Sequence, residues 1–261
     1  MQNKPFTFLF YIQYLGLRYA GWQKQKGVKT IQGTLERAFR YVLGHEDFTI
    51  LGASRTDAGV SCENGAFELF LRADLVQEDI VSQVNLNLPS DIRLLDFKRV
   101  SLDFNVIQDV AWKSYAYNFI FGEKPNPLLN PTSAFFAGIP DVELMQEAVT
   151  LFEGKKDFKR FCAIDKVTDN YVREVLETKI SLVSSGGLEL QNQVKIVFEV
   201  KGAGFLRYQV RIMAGALADL GLGRLSFSAF KEALDLPEGK PIAIAAPACG
   251  LVLAKIQFSS K

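Results

Sequence analysis

The sequence is poor in the residue types on which metal, thiol and nucleotide chemistry depend. Among 261 residues there is one histidine, His45, and three cysteines, Cys62, Cys162 and Cys249, far apart and with no C-x-x-C pair. That scatter argues against a disulfide framework and against structural zinc. A single histidine rules out a His-rich metal centre, and a Ser-His-Asp hydrolase would have to be built on His45, in a Gly-His-Glu-Asp stretch that reads as a turn. No apolar run reaches the length of a membrane span, and Met1 to Lys4 is too polar for a secretory leader, so the expectation is a soluble, cytoplasmic protein with no membrane partner. Gly202-Ala-Gly204 lacks the third glycine of a dinucleotide loop, and Gly221-Leu-Gly223 follows a helical stretch rather than a strand. The expectation is no cofactor, with side chains carrying the reaction unaided. Charge is equally spare: 30 basic against 29 acidic residues leave a net +1, which by itself leaves nucleic-acid binding undecided.

What the chain does have is apolar mass. Hydrophobic residues make up 48% and phenylalanine occurs 21 times, enough for one large core or two moderate ones. Phe6 to Tyr14 alternates in β-formers and predicts a strand. Ile31, Leu35, Ala38, Phe39 and Val42 recur at helical spacing behind a Thr30 cap. Short strands follow at Phe48 to Ala53 and Gly65 to Leu71. Asp74 with Gln77 reads as a capping box opening a helix to about Leu86, and Ile92 to Val100 is a strand. The second half repeats this order with insertions. It has a strand over Trp112 to Phe121 and a helix over Val142 to Phe152. Strands near Glu174 to Val183 and Leu188 to Lys201 flank a Ser-Ser-Gly-Gly turn. Helices run from about Phe205 to Leu220 and Ser228 to Leu234, and a strand covers Gly250 to Phe258. The fold class expected is α+β: two similar β-α-β-β-α-β units with antiparallel sheets flanking a central cleft, divided near Ser101 to Asn105 into residues 1–103 and 104–261.

Two stretches draw attention as chemistry. Gly52-Ala-Ser-Arg-Thr-Asp-Ala-Gly-Val-Ser61 packs Arg55 and Asp57 among small residues that let another molecule approach the backbone. Read alone, it is also consistent with an ordinary surface turn. Further on, Arg207 and Arg211 are four apart, which on a helix puts them on one face roughly 6 Å apart along the axis. Arg211 is flanked by Val210, Ile212, Met213 and Ala214, where an unpaired cation is costly; Asp57 is one plausible partner, a structural acid or solvent another.

Taken together these blocks resemble the tRNA pseudouridine synthase A family from the first strand to nearly the last residue. The family's Y-x-G-W-Q-x-Q block appears as Tyr19-Ala-Gly-Trp-Gln-Lys-Gln25, and its G-R-T-D-A-G-V-H block as Ser54-Arg-Thr-Asp-Ala-Gly-Val-Ser61. Its K-x-Y-x-Y strand is Lys113-Ser-Tyr-Ala-Tyr117, and its G-x-x-D-F-x-x-F block is Gly154-Lys-Lys-Asp-Phe-Lys-Arg-Phe161. G-x-x-F-L-x-x-x-V-R is Gly202-Ala-Gly-Phe-Leu-Arg-Tyr-Gln-Val-Arg211, and A-P-A-x-G-L is Ala246-Pro-Ala-Cys-Gly-Leu251. The resemblance implies an isomerase with Asp57 as nucleophile, Tyr115 stacked on the target base, Arg211 paired with Asp57 and Arg55 holding a flipped nucleotide. It also makes Trp22, Gln23, Lys24, Gln25 and the run Lys155 to Arg160 candidates for RNA contact. The substrate implied is tRNA, at uridines 38 to 40 of the anticodon arm, and the assembly implied is a homodimer.

Three positions depart from the family pattern: Ser54 stands for its glycine, Ser61 for its histidine, and no arginine occurs at Ile107-Gln108. Two other readings stand beside the synthase. One is a non-catalytic RNA-binding module, or a synthase with a different RNA target. The other is a hydrolase built on His45.

Overall fold

Phe10 shows why the first segment is a strand at the heart of a core. The first strand, β1 (Phe6–Tyr14), pairs antiparallel with β3 (Ser61–Leu71) on one side and β4 (Ile92–Val100) on the other, bringing Phe10 opposite Phe67 and Phe97. The three rings stack at 5.2 and 5.1 Å, and Phe39 from α1 (Ile31–Leu43) meets Phe10 edge-on at 5.3 Å. The computed structural model describes residues 4–75, 79–128, 131–164, 170–183 and 193–259. The chain divides into two compact units, Met1–Ala111 with Leu253–Lys261, and Trp112–Val252.

In the first unit the order is β1, α1, β2 (Phe48–Gly52), β3, α2 (Ile80–Asn87), β4. Helix α1 starts where Thr30 Oγ1 accepts the Gly33 N–H at 3.2 Å, and stops at Gly44 in a left-handed conformation. Strand β2 pairs with β3, and the last strand, β10 (Leu251–Phe258), lies beside β3. One expected start is corrected. Helix α2 opens at Ile80, after Asp79, because the Asp74 carboxylate is drawn to Arg99 Nη1 of β4 at 2.7 Å; Gln77 lies outside the described residues.

The second unit holds β5 (Val110–Gly122), β6 (Ala134–Ala137), α3 (Val142–Val149), β7 (Gly154–Asp157), β8 (Val172–Val183), β9 (Gln193–Gly202), α4 (Gln209–Gly221) and α5 (Phe227–Asp235). Its sheet runs β5-β9-β8-β7 with antiparallel pairing, and β6 joins β5 in parallel. Asp141 and Ser226 cap α3 and α5 through their side chains. Phe152 centres this core, 5.2 Å from both Phe161 and Phe230. The fold is α+β with largely antiparallel sheets. Lys155 and Lys156 lie on strand β7. Two details differ from expectation. The helix expected to Phe152 tightens after Val149 into a single 3-10 turn. Helix α4 begins at Gln209, not Phe205, because Tyr208 takes a left-handed backbone (φ 60°) that a continuing helix forbids. The Ser-Ser-Gly-Gly turn and Leu188 to Asn192 lie outside the described residues.

Candidate active site

The loop joining β2 to β3 is fixed mainly by backbone meeting backbone. Gly21, at φ +96°, lies so close that a Cβ there would stand 2.7 Å from the Thr56 carbonyl oxygen. That closeness lets Trp22 N–H donate to Thr56 O at 3.0 Å and Gly59 N–H donate to Tyr19 O at 3.2 Å. Within the loop, Val60 N–H donates to Asp57 O at 3.2 Å. Beneath it, the buried Tyr14 and Thr56 hydroxyls share a hydrogen bond of 2.8 Å. At its foot Ser61 Oγ accepts the Gly16 N–H at 3.0 Å and is itself buried. Asp57 emerges half-buried from this lacing, and Arg55 is exposed two residues before it.

Trp22, one of the candidates for RNA contact, is 3% exposed, its ring against Tyr14 and Phe67. It fits because position 52 is glycine; a Cβ there would lie 2.3 Å from the indole Nε1. The indole therefore props the loop from below. Gln23, Lys24 and Gln25 are exposed beside the first turns of α1. Gln23 Nε2 and Lys24 N–H both donate to Gln32 Oε1, and Lys24 Nζ pairs with Glu36 at 2.5 Å. A further network was not legible beforehand. Tyr19 OH donates to Asp91 Oδ1 at 2.7 Å, Arg18 clasps Oδ2, and Lys29 lies 4.6 Å from the Tyr19 ring centre. Burial and the Asp91 bond push the Tyr19 hydroxyl well above its ordinary pKa, so it stays a donor.

In the second unit, Tyr115, Tyr117, Phe119 and Phe121 alternate along β5. The last three are buried, while Tyr115 at the end of the row is half-buried and meets Phe205 edge-on at 5.4 Å. Tyr117 OH donates to Pro247 O at 2.8 Å, and Gly250 is needed beside it, since a Cβ there would come within 2.7 Å of the ring. The same C-terminal segment docks on α4. Arg211 Nε donates to Ala246 O at 2.8 Å, Ala246 N–H donates to Arg211 O at 2.9 Å, and a Cβ on Gly215 would stand 2.2 Å from Ile244 O. Arg207 precedes the helix, so the two arginines do not share a helical face. Instead both guanidinium carbons lie 4.9 Å from the centre of the Tyr208 ring. Lys113, at the head of the tyrosine strand, has its pKa pulled below the ordinary lysine value by burial. Lys159 and Arg160 reach toward the 238–240 segment, the first pairing with Glu238 at 2.8 Å, the second donating to Lys240 O at 3.4 Å.

His45 follows the end of α1, where its Nδ1 accepts the Asp47 N–H at 3.2 Å and its ring meets Phe48. It lies on a turn stitched to its own backbone, and the hydrolase reading ends there. Among the described residues no helix is long and apolar enough to cross a membrane.

A family model described as tRNA pseudouridine synthase matches residues 148–259. Curated relatives extend the likeness over nearly all the chain. The tRNA pseudouridine synthase A of Thermodesulfovibrio yellowstonii is 34% identical over 252 residues, covering 95% of this chain and 97% of its own. That of Acetivibrio thermocellus is 31% identical with the same coverage, and that of Streptococcus agalactiae is 32% identical over 96% of this chain and 94% of its own. The chain belongs to the tRNA pseudouridine synthase A family. It is therefore an enzyme of the isomerase class. In this family member the Asp57 loop and the Arg211 helix are each fixed by contacts inside their own unit.

Proposed function

We propose that the chain converts uridine to pseudouridine in the anticodon stem-loop of tRNA, at positions 38, 39 or 40, with Asp57 as the nucleophile. The observation that carries this reading is the Asp57 loop: a half-buried carboxylate on a segment of small residues whose neighbours are laced by backbone hydrogen bonds. A nucleophile held this way loses little freedom on meeting its substrate.

The reaction asks for little else. The N1 glycosidic bond breaks, the base turns, C5 bonds to the same ribose carbon, the C5 proton leaves and N1 gains one. No electrons are exchanged and no energy carrier is consumed. An ionised carboxylate attacks as nucleophile, and Arg211, as its ion-pair partner, keeps it ionised at neutral pH. Tyr115 stacks on the target base and handles the proton leaving C5; stacking on an aromatic ring returns roughly 1–3 kcal/mol of what unstacking costs. Arg55 holds the flipped nucleotide, and Gln23, Lys24 and Gln25 meet RNA beside the loop. The exposure of those three and of Arg55 supports that role. The working form is a cytoplasmic homodimer, an assignment that rests on the family alone.

Mapping pseudouridine in tRNA from cells lacking this protein tests reaction and substrate together. The expected result is loss confined to anticodon-arm uridines. An unchanged map sinks the assignment of substrate, and restoration by an Asp57→Asn copy sinks the assignment of the nucleophile.

A further inference from the structure

Among the described residues, Tyr208 alone combines a side chain with a positive φ. Glycine would hold this backbone without steric cost, and asparagine nearly so. The turn itself is closed by other groups. Leu206 N–H donates to the buried Gln209 Oε1 at 2.8 Å, Gln209 N–H donates to Leu206 O at 3.1 Å, and Ala163 N–H donates to Arg207 O at 3.0 Å. A tyrosine ring is thus superfluous to the turn, and what the ring does touch is specific: the guanidinium groups of Arg207 and Arg211, each 4.9 Å from its centre. Each guanidinium is thereby drawn to the π electrons of one ring.

We infer that Tyr208 is a positioning residue that holds Arg211, and with it Arg207, in one orientation through its ring face. Arg211 Nε is engaged by Ala246 O, the guanidinium rests over the ring, and the α-helical backbone behind it is clamped to Ala246. Three constraints on one fork leave it a single direction in which to present its terminal N–H groups. The left-handed backbone at Tyr208 is what puts the ring beneath that fork; in a continuing helix residue 208 would point its side chain elsewhere. The inference rests on the reading of Arg211 as the partner that keeps Asp57 ionised.

The test is a single-turnover assay, tritium release from tRNA labelled at uridine C5, run across pH on the full chain. Tyr208→Gly removes the ring and fits the backbone, and Tyr208→Asn does so with a side chain that tolerates φ > 0. Both are expected to lose about tenfold to a hundredfold in rate, the range of a misplaced catalytic group, with the acidic limb of the profile moved to higher pH. Tyr208→Phe, which keeps the ring face, is expected to recover rate and limb. Wild-type rate and limb in Tyr208→Gly and Tyr208→Asn would overturn the inference, as would a Tyr208→Phe as slow as they are, since that would make the hydroxyl the working group. Arg211→Lys separates the two layers. If it is impaired while Tyr208→Gly is not, only the positioning role fails; if it matches wild type, the Asp57–Arg211 reading falls and this inference with it.

Discussion

The loop that carries Asp57 is laced mainly by backbone against backbone, whereas the turn ahead of Arg211 adds specific side-chain contacts to its backbone bonds. In the first, Gly16 and Gly21 bring two chain segments together so closely that a Cβ on either would strike Val60 O or Thr56 O, and hydrogen bonds run between main-chain atoms. In the second, the Tyr208 ring, the Gln209 amide and the Arg211 fork make the contacts, and the backbone is bent into a costly conformation to present them. The difference says what each site tolerates. The Asp57 loop is sensitive to an added methyl group and forgiving of exposed side-chain changes; the Arg211 turn is sensitive to side-chain identity.

The largest expected effect is Gly21→Ala. A Cβ at φ +96° and 2.7 Å from Thr56 O forces the two segments apart, costing roughly 3–5 kcal/mol of stability by denaturant unfolding, with loss of activity. A Gly21→Ala variant of wild-type stability would show that the lacing is not what holds the loop.

Next comes a pH effect that separates the units by chemistry. Glu68, buried on β3, accepts the Val106 N–H at 3.2 Å through one oxygen. Burial, opposed by that hydrogen bond and reinforced by the Asp109 carboxylate, pushes its pKa up to about 7. Between about pH 4 and 7 the folded chain therefore holds a proton that the unfolded chain has released, and stability falls as pH rises across that window. Glu68→Gln is expected to flatten this slope and to raise stability at pH 8 by on the order of 2–3 kcal/mol, read from melting curves against pH. A slope that persists in the variant would place its source elsewhere.

Smaller again is Tyr14→Phe. It removes the hydroxyl that meets Thr56 at 2.8 Å, with an expected cost of about 1–2 kcal/mol and a modest fall in rate. An effect as large as that of Gly21→Ala would erase the distinction drawn between lacing and side-chain support.

Much of this was legible from pattern. The strands over Phe6–Tyr14 and Ile92–Val100 have the bounds their β-forming residues predict, and Thr30 caps α1 as its position before an apolar periodic run implies. Two helix starts were not legible. Phe205 to Tyr208 reads as the first turn of a helix, but spacing cannot reveal that Tyr208 takes a left-handed backbone. Asp74 looks like a cap, yet its carboxylate finds Arg99, a partner distant in sequence. Trp22 shows the same limit at the site. An aromatic in an exposed-looking block reads equally as ligand or core, and only the fit against Gly52 decides it. Glu68 stayed hidden because β3 is buried on both faces, so its place between Phe67 and Leu69 did not assign it to a solvent face.

The central claim is that the Asp57 carboxylate starts the reaction, and Asp57→Asn tests it most directly. Asparagine keeps the shape and the loop but cannot serve as an ionised nucleophile. Tritium release from C5-labelled tRNA is expected to fall by at least about a thousandfold while tRNA affinity and melting temperature stay near wild type. Release at the wild-type rate by the purified Asp57→Asn protein would contradict the account.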